Sequence, residues 1–79
     1  MLVYRPQAIK QLQQLSPSEK KKVLRKLESL ATDPLIGKPL RGELEGLRSL
    51  RAWPYRIIYE NVQEKIRILS IAHRRDVYR

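Results

Sequence analysis

Seventy-nine residues, 42% of them apolar, suffice for one domain and not two, because a chain this short buries only ~60% of its unfolded surface. With no cysteine and a single histidine, the composition excludes a disulfide framework and a Cys/His zinc cluster, so packing alone must hold a thin core. A formal charge of +9 attracts polyanions, admitting nucleic acid, acidic protein or anionic membrane, while no apolar run suits a signal peptide or the ~18 residues of a membrane span, so the expected address is cytoplasmic.

Leu2-Val3-Tyr4 is a short apolar run that stops at Arg5-Pro6, and it predicts a strand. Pro6 suits the first position of a helix, and Ala8, Ile9, Leu12 and Leu15 then recur on one face. Ser16-Pro17-Ser18-Glu19 predicts a second helix start, with Ser16 as N-cap and Glu19 reaching back in a capping box that contributes ~1 kcal/mol. Val23, Leu24, Leu27, Leu30 and Ala31 form that helix's inner stripe, and Thr32-Asp33-Pro34 ends it. Lys20, Lys21, Lys22, Arg25 and Lys26 turn mostly outward, where a lysine-rich face is open to nucleic acid or membrane but is most simply solvated.

Leu35 to Gly46, with three glycines, Pro39 and the preceding Pro34 and little periodicity, predicts a long connecting loop. Three apolar, β-branched or aromatic runs follow, Leu47 to Trp53, Tyr55 to Glu60 and Lys65 to His73, joined by tight turns at Trp53-Pro54 and at Asn61-Val62-Gln63-Glu64. The expected fold class is therefore α+β: an N-terminal strand, then a two-helix hairpin packed on one face of an antiparallel sheet with a C-terminal three-stranded meander. The other sheet face is left partly open.

Cationic residues divide by type along the chain. Met1 to Pro39 carries six lysines and two arginines, whereas Leu40 to Arg79 carries one lysine and eight arginines. The arginine fork suits bidentate grip on phosphate and stacking on bases, so the second half is where a site is expected. If Trp53-Pro54 centres an even-numbered hairpin loop, Arg51 faces Arg56 across the strands and Ser49 faces Ile58 on the same side. Strict alternation along the last strand puts Arg67, Leu69, Ile71 and His73 on one face and Ile66, Ile68, Ser70 and Ala72 on the other. Opposed like charges with Arg74 nearby are unfavourable unless an anion sits among them.

Four stretches in order carry a specific resemblance: Leu40-Arg41-Gly42, Gly46 to Arg51, Tyr55 to Tyr59, and His73-Arg74-Arg75-Asp76-Val77-Tyr78. Together they resemble the signature of RelE-type toxins in the RelE/ParE superfamily, and the helical hairpin and its spacing fit as well. The resemblance implies a single RelE-like domain over residues 1–79 with a fold similar to microbial ribonucleases. It implies the toxin of a type II toxin-antitoxin system, a ribosome-dependent endoribonuclease that uses neither metal nor cofactor. Messenger RNA would be cut in the ribosomal A site by driving the ribose 2′-OH onto the adjacent phosphate, which stops translation. The partners it implies are the ribosome, mRNA and a cognate RelB-like antitoxin that wraps the toxin in a hetero-oligomer, with no membrane role.

By the same resemblance, Arg56 and Arg74 match phosphate-binding arginines, Arg51 a basic residue on the preceding strand, and Tyr78 the carboxyl-terminal tyrosine that orients or stacks on RNA. Arg41, Arg48, Ser49, Trp53 and Arg75 are expected to contact RNA. Trp53 at the hairpin tip is placed to stack on a base or to cap the core edge. Ser49 departs from the family, which often has a second basic residue there, so the general base is left open. His73 suits acid or base chemistry near neutrality. ParE-type relatives share the fold, are described as DNA gyrase inhibitors and lack the ribonuclease residues. They give a second reading, and a catalytically silent member that binds only RNA or its antitoxin gives a third.

Overall fold

The protein, a computed structural model, is described over residues 1–76. Its elements run β1 (Leu2–Tyr4), α1 (Pro6–Gln13), α2 (Pro17–Thr32), β2 (Lys38–Pro39), β3 (Arg48–Ala52), β4 (Tyr55–Val62) and β5 (Lys65–His73), with short 3₁₀ turns at Gly42–Leu44 and Arg74–Asp76. Both helices open on a proline, where the missing N–H costs no intrahelical bond. At the start of α2 the Ser16 hydroxyl accepts the Glu19 N–H at 3.4 Å and donates to the Glu19 carboxylate at 3.2 Å. The expected cap forms, although Glu19 binds the serine side chain and not its backbone.

The strands make one sheet in the order β1-β5-β4-β3-β2. Three neighbouring pairs are antiparallel, and the sheet is mixed because β1 runs parallel to β5, pairing Leu2 with Ile66 and Tyr4 with Ile68. A parallel partner needs a long crossover, and here α1, α2 and the rest of the chain supply it. The segment expected as plain loop contains β2, where Lys38 pairs with Ser49 and Pro39 with Arg48. At the far hairpin only Gln63 and Glu64 turn, both at positive φ, so β4 and β5 reach two residues closer together than the four-residue turn predicted.

One sheet face carries the core. Ala8 of α1 and Val23, Leu27 and Leu30 of α2 pack on Leu50, Ala52, Ile57, Tyr59, Ile66, Ile68 and Ile71. The buried stripe is narrower than the sequence pattern suggested, for Ile9 and Leu24 are 44% and 42% exposed and Ala31 is also exposed. Two short helices lying flat on a sheet each turn about a third of their circumference inward, and the residues beside the stripe stay wet.

Register along β5 departs from simple alternation. Ile58 pairs with Ser70 while Tyr59 pairs with Ile68, which leaves Leu69 as an extra residue in a bulge. Ile66 and Ile68 before the bulge and Ile71 after it therefore all face the helices, correcting the predicted separation of Ile71 from Ile66 and Ile68. Among the described residues no helix is long and apolar enough to cross a membrane.

Candidate nucleic-acid interface

The β3–β4 hairpin sets the first part of the site. Its pairs are Ala52 with Tyr55, Arg51 with Arg56, Leu50 with Ile57 and Ser49 with Ile58, as an even loop at Trp53-Pro54 requires. Leu50, Ala52 and Ile57 lie in the core, so Arg51, Arg56, Ser49 and Ile58 share the face that carries no helix. Arg51 is exposed and Arg56 half-buried. Guanidiniums opposed in this way repel one another, and among the described residues the one ion pair is Arg67 with Glu60 at 2.9 Å, away from both.

Arg74 joins them from the other end of the chain. Its N–H donates to the Pro54 carbonyl at 2.8 Å, fastening the last 3₁₀ turn to the hairpin tip. Its guanidinium carbon stands 4.7 Å from the Trp53 ring centroid, and that of Arg51 stands 5.7 Å from the same ring. Arg51, Arg56 and Arg74 are thus linked through strand pairing and one shared aromatic ring.

Other candidates are distributed differently. Ser49 is 5% exposed, and its hydroxyl is buried with no hydrogen-bond partner among the described residues. Arg48 pairs with Tyr59 on the helix side, where its guanidinium donates to the carbonyls of Gly37 at 2.6 Å and Leu35 at 3.4 Å. That arginine pins a loop and lies on the face opposite Arg51 and Arg56. Arg41 is exposed next to the Leu40–Leu47 backbone bond, at the end of β3 remote from Trp53, and Arg75 is exposed in the last turn. Tyr78 lies outside the described residues.

The bulge decides where His73 goes. With the register shifted at Leu69, His73 pairs with Tyr55 and follows Ile71 onto the helix side, while Ala72 takes the place beside Arg56. Its ring meets Tyr55 edge-on with centroids 5.7 Å apart, and its Nδ1 accepts the Arg75 N–H at 3.3 Å. It lines a cavity of about 270 Å³ with Gln11, Gln14, Leu15 and Tyr55. Burial, then the neighbouring Glu19 carboxylate, raises the Tyr55 hydroxyl above its ordinary value, so it stays protonated near neutrality.

Two positioning contacts escape the sequence altogether. Lys22 of α2 donates from Nζ to the Trp53 carbonyl at 2.8 Å across 31 residues, and Gln11 accepts the Ile71 N–H at 2.7 Å, where β1 no longer covers the edge of β5. A lysine in a lysine-rich helix carries no local mark of such a contact. Among the described residues no three His, Cys, Asp or Glu side chains gather as a metal site requires.

Comparison with known proteins agrees with this architecture. Residues 2–78 match the family model described as "ParE toxin of type II toxin-antitoxin system, parDE". Over 53 residues the chain is 43% identical to toxin RelG of Mycobacterium tuberculosis, a stretch covering 63% of this chain and 61% of that toxin. A chain of the toxin-antitoxin complex RelBE2 from Mycobacterium tuberculosis superposes with a TM-score of 0.83 at 32% identity, covering 92% of this chain and 95% of that one. A chain of the intact E. coli RelBE complex gives 0.78 at 24% identity, covering 92% and 94%, a likeness of fold. With a family match spanning nearly every residue and a fold that superposes over 92% of the chain, the chain belongs to the ParE toxin family of type II toxin-antitoxin systems.

Proposed function

We propose that residues 1–79 act as a single toxin domain that cleaves messenger RNA on the ribosome. The observation that carries this reading is the grouping of Arg51, Arg56 and Arg74 at the helix-free face, none of them ion-paired to a described carboxylate. In the proposed step the ribose 2′-oxygen bonds to phosphorus as the bond from phosphorus to the 5′-oxygen breaks. The products are a 2′,3′-cyclic phosphate and a free 5′-hydroxyl. One proton leaves the 2′-OH and another is delivered to the departing oxygen. Arg56 and Arg74 neutralise the charge that builds on the phosphoryl oxygens, and Arg51 holds a neighbouring phosphate. Tyr78 orients the RNA. The position of His73 beside Tyr55, on the helix side, favours a structural role for it over proton transfer.

The partner proposed for the resting state is an antitoxin with an acidic amphipathic segment, which complements a +9 surface. The likeness to a chain of a toxin-antitoxin complex supports it.

In vitro translation of a reporter messenger with the pure protein, followed by primer extension, tests the reading. Cuts at A-site codons are expected, and Arg56→Ala should lower the cleavage rate by about 10²–10³, the usual effect of removing one charge-stabilising donor. Intact message at doses that halt growth would reject the ribonuclease reading. Because the matching family model is named for ParE, a gyrase inhibitor is the competing reading. Replication arrest ahead of translation arrest would favour it.

A further inference from the structure

Three cationic side chains from two separate parts of the chain should spread apart in water, since their mutual repulsion is relieved by distance and each keeps free rotamers. Arg51 and Arg74 instead approach the same ring at 5.7 and 4.7 Å. The negative face of an indole attracts a guanidinium, and attraction of both to one ring offsets part of the repulsion between them. Trp53 is 51% exposed and does not belong to the core cluster, so burial of the ring is a weak reason for a tryptophan at this tip.

The tip itself is held from two sides. Lys22 donates to the Trp53 carbonyl from α2, and the Arg74 N–H donates to the adjacent Pro54 carbonyl, both at 2.8 Å. Two consecutive residues therefore join a helix, a hairpin and the turn that follows β5. The side chain of one then receives the guanidiniums of the two elements that converge there.

We infer that Trp53, clamped by Lys22, is a positioning residue that sets the spacing of Arg51 and Arg74 before a phosphate arrives. Its purpose rests on the ribonuclease reading above; its geometry does not. Guanidiniums held in place need no reorganisation when charge develops on the phosphoryl group, so the ring acts through them on the reaction step. A ring that instead stacked on a nucleotide would act on substrate affinity.

The test uses the full chain with Trp53→Leu, Trp53→Phe and Lys22→Met, assayed for cleavage on programmed ribosomes at varied concentration. Trp53→Leu is expected to lower the maximal rate about tenfold with the half-saturating concentration nearly unchanged, the size of two exposed cation–π contacts. Trp53→Phe, which keeps a π face, should recover most of that loss, and Lys22→Met should fall between. Higher half-saturating concentration at an intact maximal rate would overturn the inference in favour of base stacking, as would parental behaviour in all three variants.

A second readout needs no ribosome. Trp53 is the only tryptophan, and neighbouring cations concentrate iodide at the ring. Arg51→Met and Arg74→Met should each reduce iodide quenching of its fluorescence while quenching by neutral acrylamide does not fall, and unchanged iodide quenching would overturn the inference. If iodide quenching falls but the parental protein cuts no RNA, the ribonuclease reading fails and the arrangement of the cluster stands.

Discussion

At Ser49 a buried hydroxyl lacks any partner among the described residues, on the same sheet face as Arg51 and Arg56. An orphaned polar group of this kind costs about 1–3 kcal/mol relative to a satisfied one, and alanine of nearly the same shape removes the penalty. Ser49→Ala is therefore expected to raise stability by about 1 kcal/mol, seen as a rise in Tm of roughly 4–8 °C. Because the hydroxyl is buried, affinity for a non-cleavable oligonucleotide should stay at the parental level; a drop in Tm would mean that Ser49 has a partner within the fold. The Arg51–Arg56 pairing was legible because an even-numbered tip sets every pair in the hairpin by addition. Placement of Arg74 against Trp53 was not, since it depends on how the turn after β5 meets the hairpin in space. That Ile71 and His73 share a face with Ile66 and Ile68 was not legible for a local reason: one extra residue at Leu69 exchanges the faces of everything after it.

Secondary elements with a strong periodic or capping signal were readable, as β1, both helix starts and the three long strands illustrate. β2 was not, because two residues, one of them proline, show no alternation and are held by backbone pairing and by what lies beside them. What lies beside them is a lock on the 34–37 segment. The Tyr59 hydroxyl donates to the Pro34 carbonyl at 2.8 Å and accepts the Gly37 N–H at 2.9 Å, and Arg48 binds the Gly37 carbonyl. A Cβ on Gly37 would lie 2.6 Å from the Tyr59 oxygen and 2.7 Å from its ring, too close for either to remain in place. Gly37→Ala should destabilise by about 2–3 kcal/mol through overpacking and loss of a buried hydrogen bond, measurable as a lower urea midpoint. Burial raises the Tyr59 hydroxyl above its ordinary value, against the lowering influence of the Gly37 N–H and Arg48. A raised folded value means that its contribution is whole below the unfolded value near pH 10 and is lost as pH climbs through the folded one. Tyr59→Phe should be less stable at neutral pH yet lose less on going from pH 9 to pH 11, and an alkaline limb as steep as the parent's would assign that loss to Tyr4 and Tyr55, which are also raised by burial.

Over the whole molecule the question is whether RNA is gripped by a site or merely attracted by a +9 body. The two possibilities predict different salt dependence, because only cations that meet phosphates release counterions, with a slope of about −0.7 per contact on single-stranded RNA. A grip by Arg51, Arg56 and Arg74 alone predicts a slope of log affinity on log salt near −2, whereas capture by the general field draws in the lysines of α2 and predicts a steeper one. The division of cations by sequence makes the comparison clean: lysines such as Lys21 and Lys26 are exposed on α2, and α2 packs on the sheet face opposite Arg51 and Arg56. Arg51→Met with Arg74→Met should reduce the slope by about 1.4, while Lys21→Met with Lys26→Met should leave it nearly as it was. Equal reductions from both pairs, measured by titration of a non-cleavable oligonucleotide from low to physiological salt, would show that charge without geometry accounts for binding. The affinity lost on the arginine side at constant salt then separates what the Trp53 arrangement adds from what net charge supplies, since both double variants carry the same formal charge.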